Sequence, residues 1–229
     1  MTKKDLFFIF GVIAVFTPFF LSDDLLSFYK HFTHNSPMIS SFVKFAILAT
    51  MGEVIGLRIK TGDYYQKGFG IIPRAIVWGV IGLTIKMSFV IFATGTPIFL
   101  EKLGFTSAVK YISGPLSINK ILVAFSISTA MNLIYAPIMM TMHKITDIHI
   151  LNNNGTLRGF FTPIKFGEII SNLNWDVQYN FVFKKTIPFF WIPAHTITFL
   201  LPVDMQVLFA AILGIMLGVI LAIASQMSK

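Results

Sequence analysis

Apolar residues run along this chain in six long stretches, and polar residues collect between them. The stretches cover roughly residues 6–21, 39–58, 72–95, 118–142, 187–202 and 205–224. Each is to be weighed against the ~20 residues that a helix needs to cross the hydrocarbon of a bilayer. The pattern predicts an all-α polytopic membrane bundle of about six transmembrane helices, forming a single domain over residues 1–229. The first stretch follows "MTKKD" and resembles a signal peptide. It ends "TPFFLSDD" with no small-residue cleavage site, so it reads as an uncleaved helix, with Asp23 and Asp24 as a solvated stop. Residues 1–37 are then an extra N-terminal helix and loop ahead of a helical core at 38–224.

One polar segment breaks the pattern. Thr162 to Lys185 is too polar to span, yet Ile169, Leu173, Val177 and Phe181 recur every four residues. With Trp175, Tyr179 and Phe183 beside them, they predict an interfacial amphipathic helix over 162–185. The plainer alternative is a linker packed on the helix ends. Residues 150–159, "ILNNNGTLRG", read as a flexible turn, and the acceptor-like Asn154-Gly155-Thr156 falls on the predicted inner side.

Composition agrees with lipid as the solvent. Of 229 residues 55% are hydrophobic and 12% charged, against about 25% charged in soluble domains. The net charge of +8 would raise the question of nucleic acid on a soluble protein. Here the basic residues lie scattered at segment ends, without a stripe of stacking aromatics, so no nucleic-acid partner is expected. Topology accounts for the charge better. With the N-terminus in the cytoplasm, twelve Lys and Arg fall inside (Lys3, Lys4, Arg58, Lys60, Lys67, Arg74, Lys144, Arg158, Lys165, Lys184, Lys185 and Lys229). Four fall outside (Lys30, Lys102, Lys110 and Lys120), and Lys44 and Lys86 lie within spans. The bias predicts both termini on the cytoplasmic face; the Lys3-Lys4 start without a presequence suits a bacterial plasma membrane, with an organellar membrane as the alternative. There are no cysteines, which removes disulfides, thiolate metal sites and thiol nucleophiles.

No phosphate-binding loop, nucleophile–base pair or metal-ligand cluster is present. His143 and His149 are six residues apart, and His31 and His34 lie in a predicted loop. No catalytic, cofactor or metal site is therefore expected, and the chain does not read as an enzyme. The ionisable and amide residues within spans say more, because charge in hydrocarbon is costly and faces protein or water. Lys44, Glu53, Arg74, Lys86, Asn132 and His195 are the candidate cavity-lining residues. In the plainer reading Lys44 snorkels outward, Glu53 pairs with Arg74, and His195 is a neutral, hydrogen-bonded core residue. In the sharper one Lys44, Lys86 and His195 converge on a wet cavity that favours anions. Ala210, Gly214, Gly218 and Ala222 repeat every fourth residue and predict close helix packing, with a neighbour in this chain or in a second copy. Ala75 and Gly79 form a shorter stripe of the same kind.

The segment "WIPAHTITFLLP", 191–202, gathers Trp191, two prolines and a histidine in an apolar run. It reads as a short helix started or kinked at Pro193, anchored by Trp191 at the inner interface, and turning at Pro202 into the last span. Here the chain resembles the family of the twenty-two-kilodalton peroxisomal membrane protein and its mitochondrial inner-membrane relatives. That family's C-terminal signature is a Trp-Pro, a Gln, an Asn-Phe pair, then a Pro followed by an Arg. Trp191, Phe199 and Pro202 hold their places and Pro193 is displaced by one. His195, Thr198 and Gln206 stand where the Gln, Asn and Arg would be. Gly52-Glu53 resembles the family's Gly-Asp element, and Arg74 with Gly79 and Gly82 its next basic-glycine segment. The resemblance covers about residues 40–224 and implies a channel-like or permeability-modulating membrane protein without cofactors. The expected partners are the bilayer, a small solute and, through the small-residue stripe, a second copy. A non-transport scaffold or regulatory subunit and the substrate-binding subunit of a transporter complex are the alternatives.

Overall fold

The computed structural model describes residues 2–227, apart from the side chains of Phe20, Leu217, Ile220 and 221–227. The described residues are all-α, with no strand. Three helices are long and apolar enough to cross a membrane. They are α4 (Pro37–Thr61), α5 (Ile71–Lys102) and α7 (Ile118–Asn152), introduced after α1 (Lys3–Phe16), α2 (Pro18–Leu21) and α3 (Asp23–Asn35), with the short α6 (Ala108–Ser113) before α7. The chain continues through α8 (Leu157–Phe160), α9 (Phe166–Ser171), a π-wound helix (Val177–Trp191), α10 (Ile192–Leu200) and α11 (Val203–Met227).

Several expected boundaries move. The first apolar stretch is not one helix: Pro18, which cannot donate to Ala14, divides it at Thr17. The segment after it is not a loop. Ser22 caps α3 by accepting from the Leu25 N–H at 3.3 Å, and Asp23 and Asp24 occupy the first turn, where their charge suits the helix dipole. His31 and His34 therefore lie on a helix. With 32 and 35 residues, α5 and α7 extend for about 48 and 52 Å. Both outrun the expected 72–95 and 118–142 spans. Hydropathy falls where they leave the apolar region, but the helical ladder does not stop there.

The expected amphipathic helix over 162–185 is broken. Ile169 and Leu173 pack on Ile145 of α7, whereas Val177 and Phe181 are exposed. The chain is non-helical around Asn174, and its second half winds without interruption from Trp175 into α10. The fifth helix is thus longer than 187–202, and Pro193 lies inside it. Pro188 and Pro193 each remove an N–H from its ladder. The last turn falls where expected: Leu201 and Pro202 end α10, and Gln206 Nε2 donates to Leu201 O at 3.1 Å across the corner.

The core is built where α4, α5, α7, α10 and α11 meet, around Phe45, Ile85, Phe89, Ile127, Met131, Phe199 and Ala211. The outward faces are as apolar as the inward ones. Val80, Met87, Val90 and Ile91 of α5 and Leu122, Phe125, Leu133 and Ile134 of α7 are exposed, as suits helices in lipid. Glycine sets the closest approaches. A Cβ on Gly82 would lie 2.8 Å from both Ser41 O and Phe45 Cβ, and Ser41 Oγ donates to Gly82 O at 2.7 Å. Gly52 and Gly218 meet in the same way, so the small-residue stripe of α11 packs on α4 within the chain. Ala210 is buried in this seam and Gly214 faces Ala49, while Ala222 lies outside the described side chains.

Contacts between loops define a lower end of the bundle. After α4 the chain turns at Gly62 and Gly70, both at positive φ (85° and 74°). The turn after α7 has Gly155 at φ 63°. A Cβ on Gly155 would lie 2.5 Å from Gly68 O and Gly70 N, so the two turns dock backbone to backbone. The 150–159 region is therefore a packed turn and not a flexible one. The start of α1 joins this end: Arg58 Nε donates to Asp5 Oδ1 at 2.7 Å, Tyr64 OH donates to the same oxygen at 3.0 Å, and Lys4 pairs with Asp63. The upper end holds α3, α6 and the Leu201–Pro202 corner.

Candidate functional site

Among the cavities of the described residues, one lies toward each end of the bundle, and a third of about 360 Å³ is an apolar groove between α5 and α7. The lower measures about 450 Å³ and runs between α7, the π-wound helix and the α4–α11 seam. Along α7 its lining residues run from Met131 through Asn132, Tyr135, Ala136, Met139, Met140, His143 and Lys144 to Asp147. These positions recur three or four apart on one helical face and span ~24 Å at ~1.5 Å per residue. Lys60, Lys144 and Val177 are exposed at the mouth, and Asn132 and His195 are buried at the far end. The upper cavity, about 590 Å³, is lined by Lys86, Thr94, Ser113, Lys120, Pro202 and Gln206 among others.

Of the six candidate residues, Glu53, Asn132 and His195 line the lower cavity, and Arg74 is buried behind Glu53. Glu53 and Arg74 pair as expected, within a larger cluster. Arg74 Nη1 contacts both Glu53 and Asp147, and Arg74 Nε donates to Phe69 O at 2.8 Å. Trp78 Nε1 donates to Glu53 Oε1 at 2.7 Å, and His143 Nε2 lies 3.1 Å from the same oxygen. Lys144 stands 3.7 Å from Asp147. Two carboxylates thus share one buried guanidinium, and further donors from Trp78 and His143 meet Glu53. Asp147, His143 and Trp78 were missed in the sequence. The available signal was the i, i+4 spacing of His143 and Asp147 on a helix that continues past Met142.

The expected convergence of Lys44, Lys86 and His195 does not occur. Lys44 is buried beneath α3, where Nζ donates to Thr33 Oγ1 at 3.1 Å and sits 4.8 Å from the centre of the Tyr29 ring. Neither the outward snorkel nor a place in a cavity describes it. A helix at 23–35 provides that cover. Lys86 lines the upper cavity. His195 Nδ1 lies 3.1 Å from Asn132 Nδ2 and 3.2 Å from Oδ1, so the two side chains share one hydrogen bond. Asn132 also donates to Ser128 O at 2.8 Å, and Ser128 Oγ donates to Ile192 O at 2.7 Å, which ties α7 to α10. The lower cavity has two acids, Glu53 and Asp147, near its mouth, and Lys44 and Lys86 do not line it, so the three basic groups of the sharper reading share no cavity.

The motif residues cluster at the junction between the cavities. Trp191 is no interfacial anchor: it is buried, and its ring lies 5.1 Å from that of His195 at 30°. The His195 ring meets Phe89 edge-on at 5.8 Å, and Phe89 meets Phe199 at 5.1 Å. His195 lines the lower cavity, whereas Phe89 and Phe199 line the upper one. No described residue lines both cavities; between them stand the His195 ring on the lower side and the Phe89 and Phe199 rings on the upper side. Among the described residues no group of three or more His, Asp or Glu side chains could hold a metal ion. No protein-family model, curated protein or solved structure matches the chain.

Proposed function

We propose that this chain is a channel-like membrane protein that passes a small solute through the two facing cavities, with the Phe89–His195–Phe199 ring layer as its closed point. The observation that carries this reading is that His195, which lines the lower cavity, packs edge-on against Phe89, which lines the upper one. A scaffold needs neither cavity. The lower passage is mostly apolar and the upper mouth holds Lys86 and Lys120. The solute is accordingly one with an apolar body, and the upper mouth tolerates negative charge on it.

The same reading takes the chain to cross the membrane six times. It adds α1–α2, the continuous Trp175–Leu200 helix and α11 to the three long helices. The register of α11 against α4, in which Gly214 faces Ala49 and Gly218 faces Gly52, makes the two helices parallel. Together with the contacts between Asp5 and Arg58, this supports termini on one face, and the basic excess supports the cytoplasmic face of a plasma membrane. The resemblance of 191–206 to the twenty-two-kilodalton peroxisomal membrane protein family supports the same class.

The test is flux of small monocarboxylates and neutral amides into liposomes that contain only this protein. Permeability above that of protein-free liposomes, carried by the parent and changed by substitution at Phe89, is the expected result. Liposomes as tight as the protein-free control would favour the scaffold.

A further inference from the structure

Two residues that line the lower cavity carry buried N–H donors that find no acceptor among the described residues. Trp191 Nε1 and Gln178 Nε2 are both unpartnered, on residues each 7% exposed, and both residues line the cavity. Folded proteins leave few buried donors unmet, because each forfeits its hydrogen bonds to water without replacement. These two stand near opposite ends of one π-wound helix, Val177–Trp191. Long π-helical runs are rare, and single π-helical turns within α-helices are frequent at functional sites.

The placement restricts what could meet both donors. Thirteen positions separate them along one helix, so a compact solute reaches one and leaves the other. The space between is a slot whose lining follows ~24 Å of α7 and is apolar along Met131, Ala136, Met139 and Met140. Near Gln178 the mouth adds the ammonium groups of Lys60 and Lys144 beside the carboxylates of Glu53 and Asp147, both of which Arg74 engages, while the deep end adds the Trp191, Asn132 and His195 side chains. We infer that the lower cavity binds an elongated apolar molecule with an oxygen acceptor at each end. Its anionic or strongly polar oxygen lies at the Gln178 mouth and a neutral hydroxyl or carbonyl oxygen accepts from Trp191 Nε1. This deepens the channel-like reading by naming the class of solute, and binding is measured apart from flux. A chain of this kind can come from a free amphiphile or from a phospholipid; the free amphiphile is the occupant proposed, since a phospholipid acyl chain ends in a methyl group and offers Trp191 nothing.

The probe is 12-hydroxydodecanoate, with dodecanoate lacking the second oxygen and didecanoyl phosphatidylcholine as the lipid arm. They are titrated into the full chain in detergent with ¹⁵N-labelled tryptophan, the Trp191 indole signal being assigned by Trp191→Phe. The hydroxy acid should move that signal and bind about tenfold more tightly than dodecanoate, a difference of ~1.4 kcal/mol. Trp191→Phe keeps the ring against His195 and should erase the preference. Gln178→Leu should weaken both acids together and leave the preference intact. Equal binding of the two acids, an unmoved Trp191 signal at saturation, or the same shift from the lipid would each overturn the inference. Flux experiments then bear on the channel reading alone, since a protein that binds the hydroxy acid and passes nothing keeps the site and loses the path.

Discussion

Gly218 lies so close to Gly52 that a Cβ placed on it would stand 2.8 Å from the Gly52 carbonyl oxygen. One helical turn earlier the same seam is looser, since a Cβ on Gly214 would meet Ala49 Cβ at 3.5 Å, an ordinary contact. Close backbone approach of this kind is how apolar helices associate where the solvent is itself apolar. Gly218→Ala should destabilise the protein by about 1–3 kcal/mol, as overpacking does, while Gly214→Ala should be nearly neutral. Thermal unfolding in detergent measures both, and equal melting of the two variants would mean that the seam is not closed at Gly218.

Arg74 holds the charges of Glu53 and Asp147 in a buried place. Replacing it with Met leaves two carboxylates facing each other without their cation. Loss of one partner from such a cluster costs about 3–5 kcal/mol. The triple variant Arg74→Met, Glu53→Gln, Asp147→Asn should recover most of that stability. A triple variant no more stable than the single one would show that Arg74 acts through Phe69, whose ring and carbonyl it also contacts.

Phe89 is the ring that meets both His195 and Phe199. Phe89→Ala should join the two cavities and raise solute flux several-fold over the parent, at a stability cost of about 3–5 kcal/mol. Phe89→Leu, which fills part of the space, should fall between them. Flux in liposomes checks the order. Unchanged flux in a folded Phe89→Ala variant would move the closed point elsewhere.

The start of α1 is fastened to the lower end through Asp5, which lies ahead of the apolar run and meets Arg58, and through Lys4, which pairs with Asp63 after α4. The Arg58 hydrogen bond, followed by those from the Thr2 backbone, the Thr2 hydroxyl and Tyr64, holds the Asp5 carboxyl well below the usual carboxylate range against the effect of burial. Lys4 lowers Asp63 by hydrogen bond and by charge. A carboxylate depressed in the folded state stabilises fully above its unfolded value of ~3.9, and that stability is lost as pH falls through the folded value. The melting temperature should therefore be flat above about pH 5 with respect to these groups and fall in acid. Asp5→Asn should already be lower at neutral pH and respond less to acid. The same acid response in parent and variant would remove Asp5 from the account.

The period-four stripe of α11 and the pairing of Glu53 with Arg74 were legible in the sequence, because each follows from helical geometry along an uninterrupted apolar run. The His143 and Asp147 contributions were not. Hydropathy drops at Thr141–Lys144, while α7 runs on to Asn152 because its polar side chains point into a charge cluster. Lys184 and Lys185 likewise suggested a surface segment, yet both are exposed on a helix that continues through them. Lys44 could not be placed without α3, whose polar, weakly apolar sequence reads as loop until Ser22 is seen to cap it. The sequence predicts Trp191 as an interfacial anchor at the start of an apolar run, and only tertiary contact shows it against His195.

The docking of Gly155 on Gly68 and Gly70 also decides where this protein tolerates additional sequence. Surface turns are ordinarily the first places to accept an inserted tag or reporter. Here the two turns of the lower end lie in van der Waals contact through bare backbone, so an insertion in either would separate α5 from α7. The upper turn at Gly104 has nothing within 4 Å of where a side chain would begin. A fluorescent or affinity label belongs there, at the end of the bundle opposite the docked turns.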